Sequence, residues 1–213
     1  DQDHQRQTDR RVDRVAPADP VPEAEHVRGV DTERSDPLGI GRHGDEVARH
    51  GGFAERVRLH WLWATPLPAG LDFAGAGPLF CGGITVFSPI VELGVRPTDR
   101  VAVLGIGGLG HLAVRFLRAW GCEGTAITST AAKAPAVREL GAHEVVSLDD
   151  PAGLKRCARR FDFLLVTANA SLPWNDLLAT LAPRGRMHVV GAVLEPIPVP
   201  AFALIGGQKS VSG

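Results

Sequence analysis

Val101-Ala102-Val103-Leu104-Gly105-Ile106-Gly107-Gly108-Leu109-Gly110-His111 is the stretch that decides the fold. An apolar, β-branched run ends in G-x-G-x-x-G and passes directly into an apolar-periodic segment, Leu112 to Trp120. Strand, glycine turn and helix together are the setting in which this spacing binds a dinucleotide. Gly105 lets the backbone turn sharply off the strand. Gly107 removes a side chain where a pyrophosphate approaches, and Gly110 lets the helix lie close on the sheet. Gly108 and Leu109 complete the turn, whose amides and positive dipole end face the phosphates. His111, directly after the last glycine, is read as a positioning residue because the dipole disfavours its protonation.

Downstream, elements alternate. Strands are expected over Gly124–Ser129, Glu144–Leu148, Phe161–Thr167 and Arg186–Val190. Helices are expected over Ala131–Leu140, Pro151–Arg160 and Trp174–Leu181. A short helix over Ala201–Ile205 and the beginning of a sixth strand over Lys209–Gly213 close the chain. Such alternation with short loops predicts parallel β-α-β units and a doubly wound, Rossmann-like α/β sheet. The end of the fifth strand, Val190-Gly191-Ala192, adds three candidate cofactor contacts. Upstream, Asp72 is a candidate helix N-cap, and Phe73–Leu93 is read as two helical pieces interrupted by Gly82-Gly83 and Pro89. Phe53–Trp63 alternates loosely and is read as a strand pair.

The second strand ends in Thr128-Ser129-Thr130, with Lys133 shortly after. A site for NAD places a carboxylate there, about 20 residues beyond the first glycine, to accept from the ribose 2′-hydroxyl. No carboxylate lies within this turn of the sequence. Hydroxyls and an ammonium suit a 2′-phosphate instead, so Ser129, Thr130 and Lys133 point to NADP. Ser129 and Thr130 also read as caps for the next helix, a role compatible with holding phosphate.

With 213 residues, a net charge of −1 and no basic face, the chain lacks the electrostatic footprint of a nucleic-acid binder. No apolar run reaches the ~20 residues that span a bilayer, and the polar N-terminus carries no signal-peptide core. Cys81, Cys122 and Cys157 are odd in number and widely spaced, which predicts a reducing, cytoplasmic setting. Cys122 and Cys157 are placed on helices as structural residues. His143 and His188, at a turn and within a strand, are read the same way, and Asp149-Asp150 as caps at a loop-to-helix junction. Residues 1–49 are rich in charge and proline without helical or strand period, so an irregular segment is expected there.

The chain from about His50 onward resembles the zinc-dependent, medium-chain alcohol dehydrogenases, in their cinnamyl-alcohol-dehydrogenase-like branch. The residues that carry the resemblance are His50-Gly51-Gly52-Phe53-Ala54-Glu55 and the block from Gly77 to Pro89, GPLFCGGITVFSP. They continue through Gly105–His111, Leu140-Gly141-Ala142 and Gly207-Gln208-Lys209-Ser210-Val211-Ser212-Gly213. The resemblance implies an NADP-dependent enzyme that moves hydride between a primary alcohol or aldehyde and the nicotinamide. It implies that Cys81 is a ligand of a catalytic zinc, that Thr85 sits near the nicotinamide, and that Ser129, Thr130 and Lys133 meet the 2′-phosphate. For an intact member the resemblance also implies a homodimer, commonly joined through the nucleotide domain's edge strand. The domains are then 1–49, irregular or non-native; 50–98, a remnant of the catalytic domain with connecting helices; and 99–213, the nucleotide domain, cut at its C-terminus.

The family's other zinc ligands belong upstream of Gly51, and no cysteine precedes Cys81. A catalytic zinc wants three protein ligands and an open position. Taken by itself, Cys81 is therefore expected to be a small buried side chain. The chain is expected to be an incomplete, inactive copy, with 1–49 an out-of-frame or misassembled substitute for catalytic sequence. Two alternatives stand beside it: a non-catalytic NADP(H)-binding module, and a zinc-free quinone or alkene reductase of the same superfamily.

Overall fold

The computed structural model describes residues 64–213, within which Ala69–Gly213 form one compact unit. The irregular 1–49 segment and the strand pair expected over Phe53–Trp63 lie outside the described residues. The first elements are α1 (Phe73–Ala76), a 3-10 turn (Gly77–Phe80) and α2 (Gly82–Glu92). Asp72 caps α1 as expected, its carboxylate accepting from the Gly75 amide at 3.0 Å. There follow β1 (Arg100–Leu104), α3 (Gly108–Trp120), β2 (Glu123–Thr128), α4 (Ala134–Glu139) and β3 (Glu144–Ser147). The second half is α5 (Gly153–Arg156), β4 (Phe161–Val166), α6 (Trp174–Thr180), β5 (Leu181–Val189), α7 (Ala201–Ile205) and β6 (Ser210–Ser212).

The six strands pair in parallel in the order β3-β2-β1-β4-β5-β6. The chain works outward from β1 to β3, then returns to the other side of β1 and works outward again. The reversal falls between β1 and β4, and a crevice opens at the carboxyl ends of strands at such a reversal.

Period-two alternation explains why β1 reads as an unbroken apolar run. Val101 and Val103 face one side and pack with Val86 and Ile90 of α2 and Val114 and Leu117 of α3. Ala102 and Leu104 face the other and pack with Leu177 and Leu178 of α6 and Met187 of β5. The strand is covered on both faces, and only Arg100 at its start is exposed. There its guanidinium and amide bind Asp162 at 2.9–3.0 Å, and Arg100 holds that carboxyl below the usual carboxylate range.

Three sequence expectations are corrected. Helix over Pro151–Arg160 shrinks to Gly153–Arg156, because Arg159 turns into the left-handed region at φ 56°. The Arg159 and Arg160 amides then donate to the Ala179 and Thr180 carbonyls at 2.9 and 2.7 Å, feeding the chain into β4 instead of extending the helix. Second, β5 begins at Leu181, five residues before the expected Arg186. Leu181 pairs with Phe161, and the register then shifts before Phe163 meets Arg186. Pro183 and the left-handed Arg184 fit inside that irregularity, where a missing ladder donor is tolerated. Third, Cys122 lies in the turn between α3 and β2, its thiol 3.3 Å from the Arg96 carbonyl oxygen, and Cys157 caps α5. Both are buried, and burial pushes both thiols up.

His143 sits in the turn ahead of β3 and accepts from the Gly124 amide at its Nδ1, 3.0 Å away. His188 lies in β5 with Nδ1 2.9 Å from the Ser212 hydroxyl of β6, and burial lowers its pKa. Among the described residues no single helix is long and apolar enough to cross a membrane.

Ser147 ends β3 opposite Thr128, with its hydroxyl buried and without a partner among the described residues. A buried hydroxyl without a hydrogen bond costs about 1–3 kcal/mol of desolvation. Ser147→Ala is therefore expected to raise stability by about 1 kcal/mol, read as a higher urea midpoint at unchanged slope. A lower midpoint would show that the hydroxyl has a partner.

Candidate functional site

Gly105 leaves β1 at φ 88°, a conformation that L side chains rarely adopt. Its amide donates to the Ile127 carbonyl at 3.0 Å, and its own carbonyl accepts from the Thr167 hydroxyl at 2.5 Å. A Cβ here would lie 2.7 Å from the Cβ of Ala168. Gly110, buried in the first turn of α3, is tighter still. A Cβ there would be driven into the Gly105 carbonyl oxygen, with Gly105 C at 2.9 Å and Thr167 Oγ1 at 3.1 Å. These two glycines serve the close packing of helix on strand.

Gly107 and Gly108 differ in kind. Both are exposed, and a Cβ at either would meet nothing within 4 Å. Gly107 has φ −100° and ψ −153°, an extended backbone open to any residue. Packing among the described residues therefore gives no reason for glycine at either position, and both leave the backbone open to a ligand. No side chain caps α3 at Gly107, and the first helical bond is from His111 N to Gly107 O at 2.9 Å. The amides of Gly108, Leu109 and Gly110 precede that bond, at the positive end of a thirteen-residue helix. Helix start and open glycines together fit an anionic group such as a pyrophosphate.

The carboxyl ends of β4 and β5 complete the crevice. The Val190 and Gly191 amides both donate to the Val166 carbonyl, at 2.9 and 3.1 Å, and Ala192 follows exposed. Gly191 has no room for a side chain, since Ala168 C would lie 2.7 Å from its Cβ. Thr167 and Ala168 thus buttress both Gly105 and Gly191. Sequence reading missed them because neither belongs to a motif and Thr167 meets Gly105 from 62 positions away.

At the end of β2, Lys133 Nζ faces Ser129 Oγ at 3.4 Å, and both residues are exposed. Thr130 caps the 3-10 turn Ala131–Lys133, its hydroxyl accepting from the Ala132 amide at 3.1 Å. The Thr128 hydroxyl donates to the Thr130 carbonyl at 2.8 Å. The sequence shows no carboxylate in this turn, but the fold brings one to it from the next strand: Asp149 Oδ2 accepts from the Ala131 amide at 3.3 Å. The neighbouring acid points elsewhere. Asp150 accepts from the Ala152 amide and pairs with Arg156, which holds its carboxyl below the usual range.

Cys81 is exposed at the start of α2, contrary to the buried side chain expected of it alone. Thr85 lies one turn on and half-buried, its amide donating to the Cys81 carbonyl at 3.1 Å. This segment adjoins α3: a Cβ at Gly82 would sit 3.2 Å from Leu112 and 3.3 Å from Leu109. Among the described residues no group of three or more His, Cys, Asp or Glu side chains could hold a metal. One thiolate does not make a zinc site, so the described residues do not fit a catalytic zinc.

Residues 108–213 match the family model described as zinc-binding dehydrogenase. The chain is 55% identical over 166 residues to the aldehyde reductase AdhA of Synechocystis sp., covering 78% of this chain and 49% of that protein. It is 41% identical to a probable cinnamyl alcohol dehydrogenase, 8D, of Oryza sativa subsp. japonica, covering 76% of this chain and 46% of that one. Among solved structures it is similar to a cinnamyl alcohol dehydrogenase of Sorghum bicolor, with TM-score 0.67 and 40% identity over 70% of this chain and 43% of that one. It is also similar to the Helicobacter pylori CAD complexed with NADP(H), with TM-score 0.59 and 25% identity over 67% of this chain and 41% of that one. The chain spans about half the length of the curated relatives it matches. Strand order, glycine turn and relatives agree: the chain belongs to the zinc-dependent, medium-chain alcohol dehydrogenase family, in its cinnamyl-alcohol-dehydrogenase-like branch.

Proposed function

We propose that residues 99–213 are the nucleotide-binding part of an NADP-dependent alcohol dehydrogenase or aldehyde reductase. The observation that carries this reading is the pairing of an open glycine face at the start of α3 with the exposed Ser129–Lys133 pair at the end of β2. The first receives a pyrophosphate on the amides of Gly108, Leu109 and Gly110. The second receives the 2′-phosphate, with the Lys133 ammonium supplying charge and Ser129 a hydrogen bond. Thr130 serves the same end by fixing the turn that presents them.

Bound nicotinamide supplies the hydride chemistry, and the residues of this chain bind and orient it. Val190, Gly191 and Ala192 line the crevice beyond the pyrophosphate. Thr85 is assigned to the nicotinamide side, because its helix adjoins the first turns of α3. Kinship gives Cys81 the role of one zinc ligand in the whole enzyme, and the described residues do not complete the ligand set. The substrate class, a primary alcohol or aldehyde, follows from what the relatives are named for. The outer edge of β6 is the candidate contact between two copies.

Titration of the chain with NADPH and with NADH, followed by nicotinamide fluorescence, tests the assignment. NADPH is expected to bind more tightly. Ser129→Asp places a carboxylate where the phosphate must sit and is expected to weaken NADPH by about tenfold or more, equivalent to about 1.4 kcal/mol. NADH should be spared, moving the ratio toward NAD(H). An unchanged ratio would overturn the NADP assignment.

A further inference from the structure

We propose that Asp149 is a specificity-determining residue of the nucleotide site: through its bond to Ala131 it fixes the turn that presents Ser129 and Lys133, while its charge opposes the 2′-phosphate. The proposal rests on the NADP reading above.

Its basis is the register of β2 and β3. Thr128 pairs with Ser147, and the Leu148 amide donates to the Thr128 carbonyl at 2.8 Å, extending the ladder one step past both strands. The next residue, Asp149, then meets the turn leaving β2, where its Oδ2 takes the Ala131 amide at 3.3 Å. The Ala132 amide is taken by the Thr130 hydroxyl at 3.1 Å. Both amides that open the turn are therefore engaged within the protein. Those two amides are not free for an anion arriving there, which can meet the Ser129 hydroxyl and the Lys133 ammonium instead. Lys133 forms no ion pair with a carboxylate among the described residues, so its charge is available to such an anion.

The same arrangement holds a negative charge against the Ala131 amide, between Ser129 and Lys133 in sequence. NADP(H) differs from NAD(H) at this end by a phosphate that is dianionic or nearly so, so a carboxylate nearby penalises the first nucleotide and leaves the second almost untouched. Asp149 is exposed, and water and salt weaken the effect without removing it. The bond and the charge can be separated. Asparagine keeps an acceptor oxygen for Ala131 and carries no charge; alanine has neither.

Asp149→Asn in the full chain is expected to tighten NADPH by about three- to tenfold, with NADH changed by less than about twofold. The gain should shrink in about 1 M salt, where the screening length falls to about 3 Å. Asp149→Ala should gain less than Asp149→Asn, because the turn is released along with the charge. Asp150→Asn, which removes the same charge from a residue bound to Arg156, should leave the ratio where it was. An unmoved or lowered NADPH/NADH preference in Asp149→Asn, with an unchanged unfolding midpoint, would overturn the proposal, as would an equal gain in Asp150→Asn. A wild-type chain that binds neither nucleotide overturns the NADP reading itself. Binding of NADPH with a ratio indifferent to Asp149 overturns this inference alone.

Discussion

Gly110→Ala is expected to destabilise the Ala69–Gly213 unit by about 3 kcal/mol, the upper end for overpacking a filled interior. The added methyl has nowhere to go. Its neighbours are the Gly105 carbonyl group and the Thr167 hydroxyl, and the nearest of these is backbone, which cannot rotate aside as a side chain would. Moving α3 outward would strip its buried residues Ala113, Val114 and Leu117 from the face they share with Val101 and Val103. Moving Gly105 would break its amide bond to Ile127 and its carbonyl bond to Thr167. A domain of this size loses roughly 2–4 °C in midpoint per kcal/mol, so thermal unfolding should fall by about 6–12 °C. A midpoint within about 2 °C of the parent would show that helix and turn separate freely, and that the close approach at Gly110 is not maintained in solution.

Gly107→Val is expected to do the opposite: weaken NADPH binding by about 100-fold, or about 2.8 kcal/mol, while the fold stands. Gly107 already has extended backbone angles, and a Cβ added there meets no atom of the described residues within 4 Å. The cost to the fold is the poorer helix cap, about 1 kcal/mol or less. The cost to binding is steric, because the new side chain fills the space through which a pyrophosphate reaches the amides of α3. Calorimetric titration with NADPH beside a urea melt reads both quantities. Undiminished binding would remove Gly107 from the nucleotide site. Unfolding as severe as that of Gly110→Ala would contradict the open space in front of the turn.

These two variants change the same motif and differ only in what faces each glycine. The spacing of Gly105, Gly107 and Gly110 was legible because strand, turn and helix are local, and the signal lies within eleven consecutive residues. The motif itself assigned Gly107 to a ligand and Gly110 to close packing, but not what the packing glycines meet. That depends on Thr167 and Ala168, which reach the turn from the end of β4.

Strands β1 and β4 could be read from apolar runs, since both faces are covered and nearly every position along them is buried. The early start of β5 could not, because Pro183 and Gly185 look like a break in sequence and become a register shift only against Phe161. Likewise Ser129, Thr130 and Lys133 were visible as hydroxyls and an ammonium in one turn, whereas Asp149 entered that turn only through the pairing of β2 with β3. Sequence by itself determined the doubly wound sheet, the glycine turn and the family, all of which rest on neighbours within an element or its adjoining loop. Tertiary structure alone decided the exposure of Cys81, the buttress behind the glycines and the carboxylate on the Ala131 amide. Each of these depends on side chains that parallel pairing and helix packing bring together from distant parts of the chain.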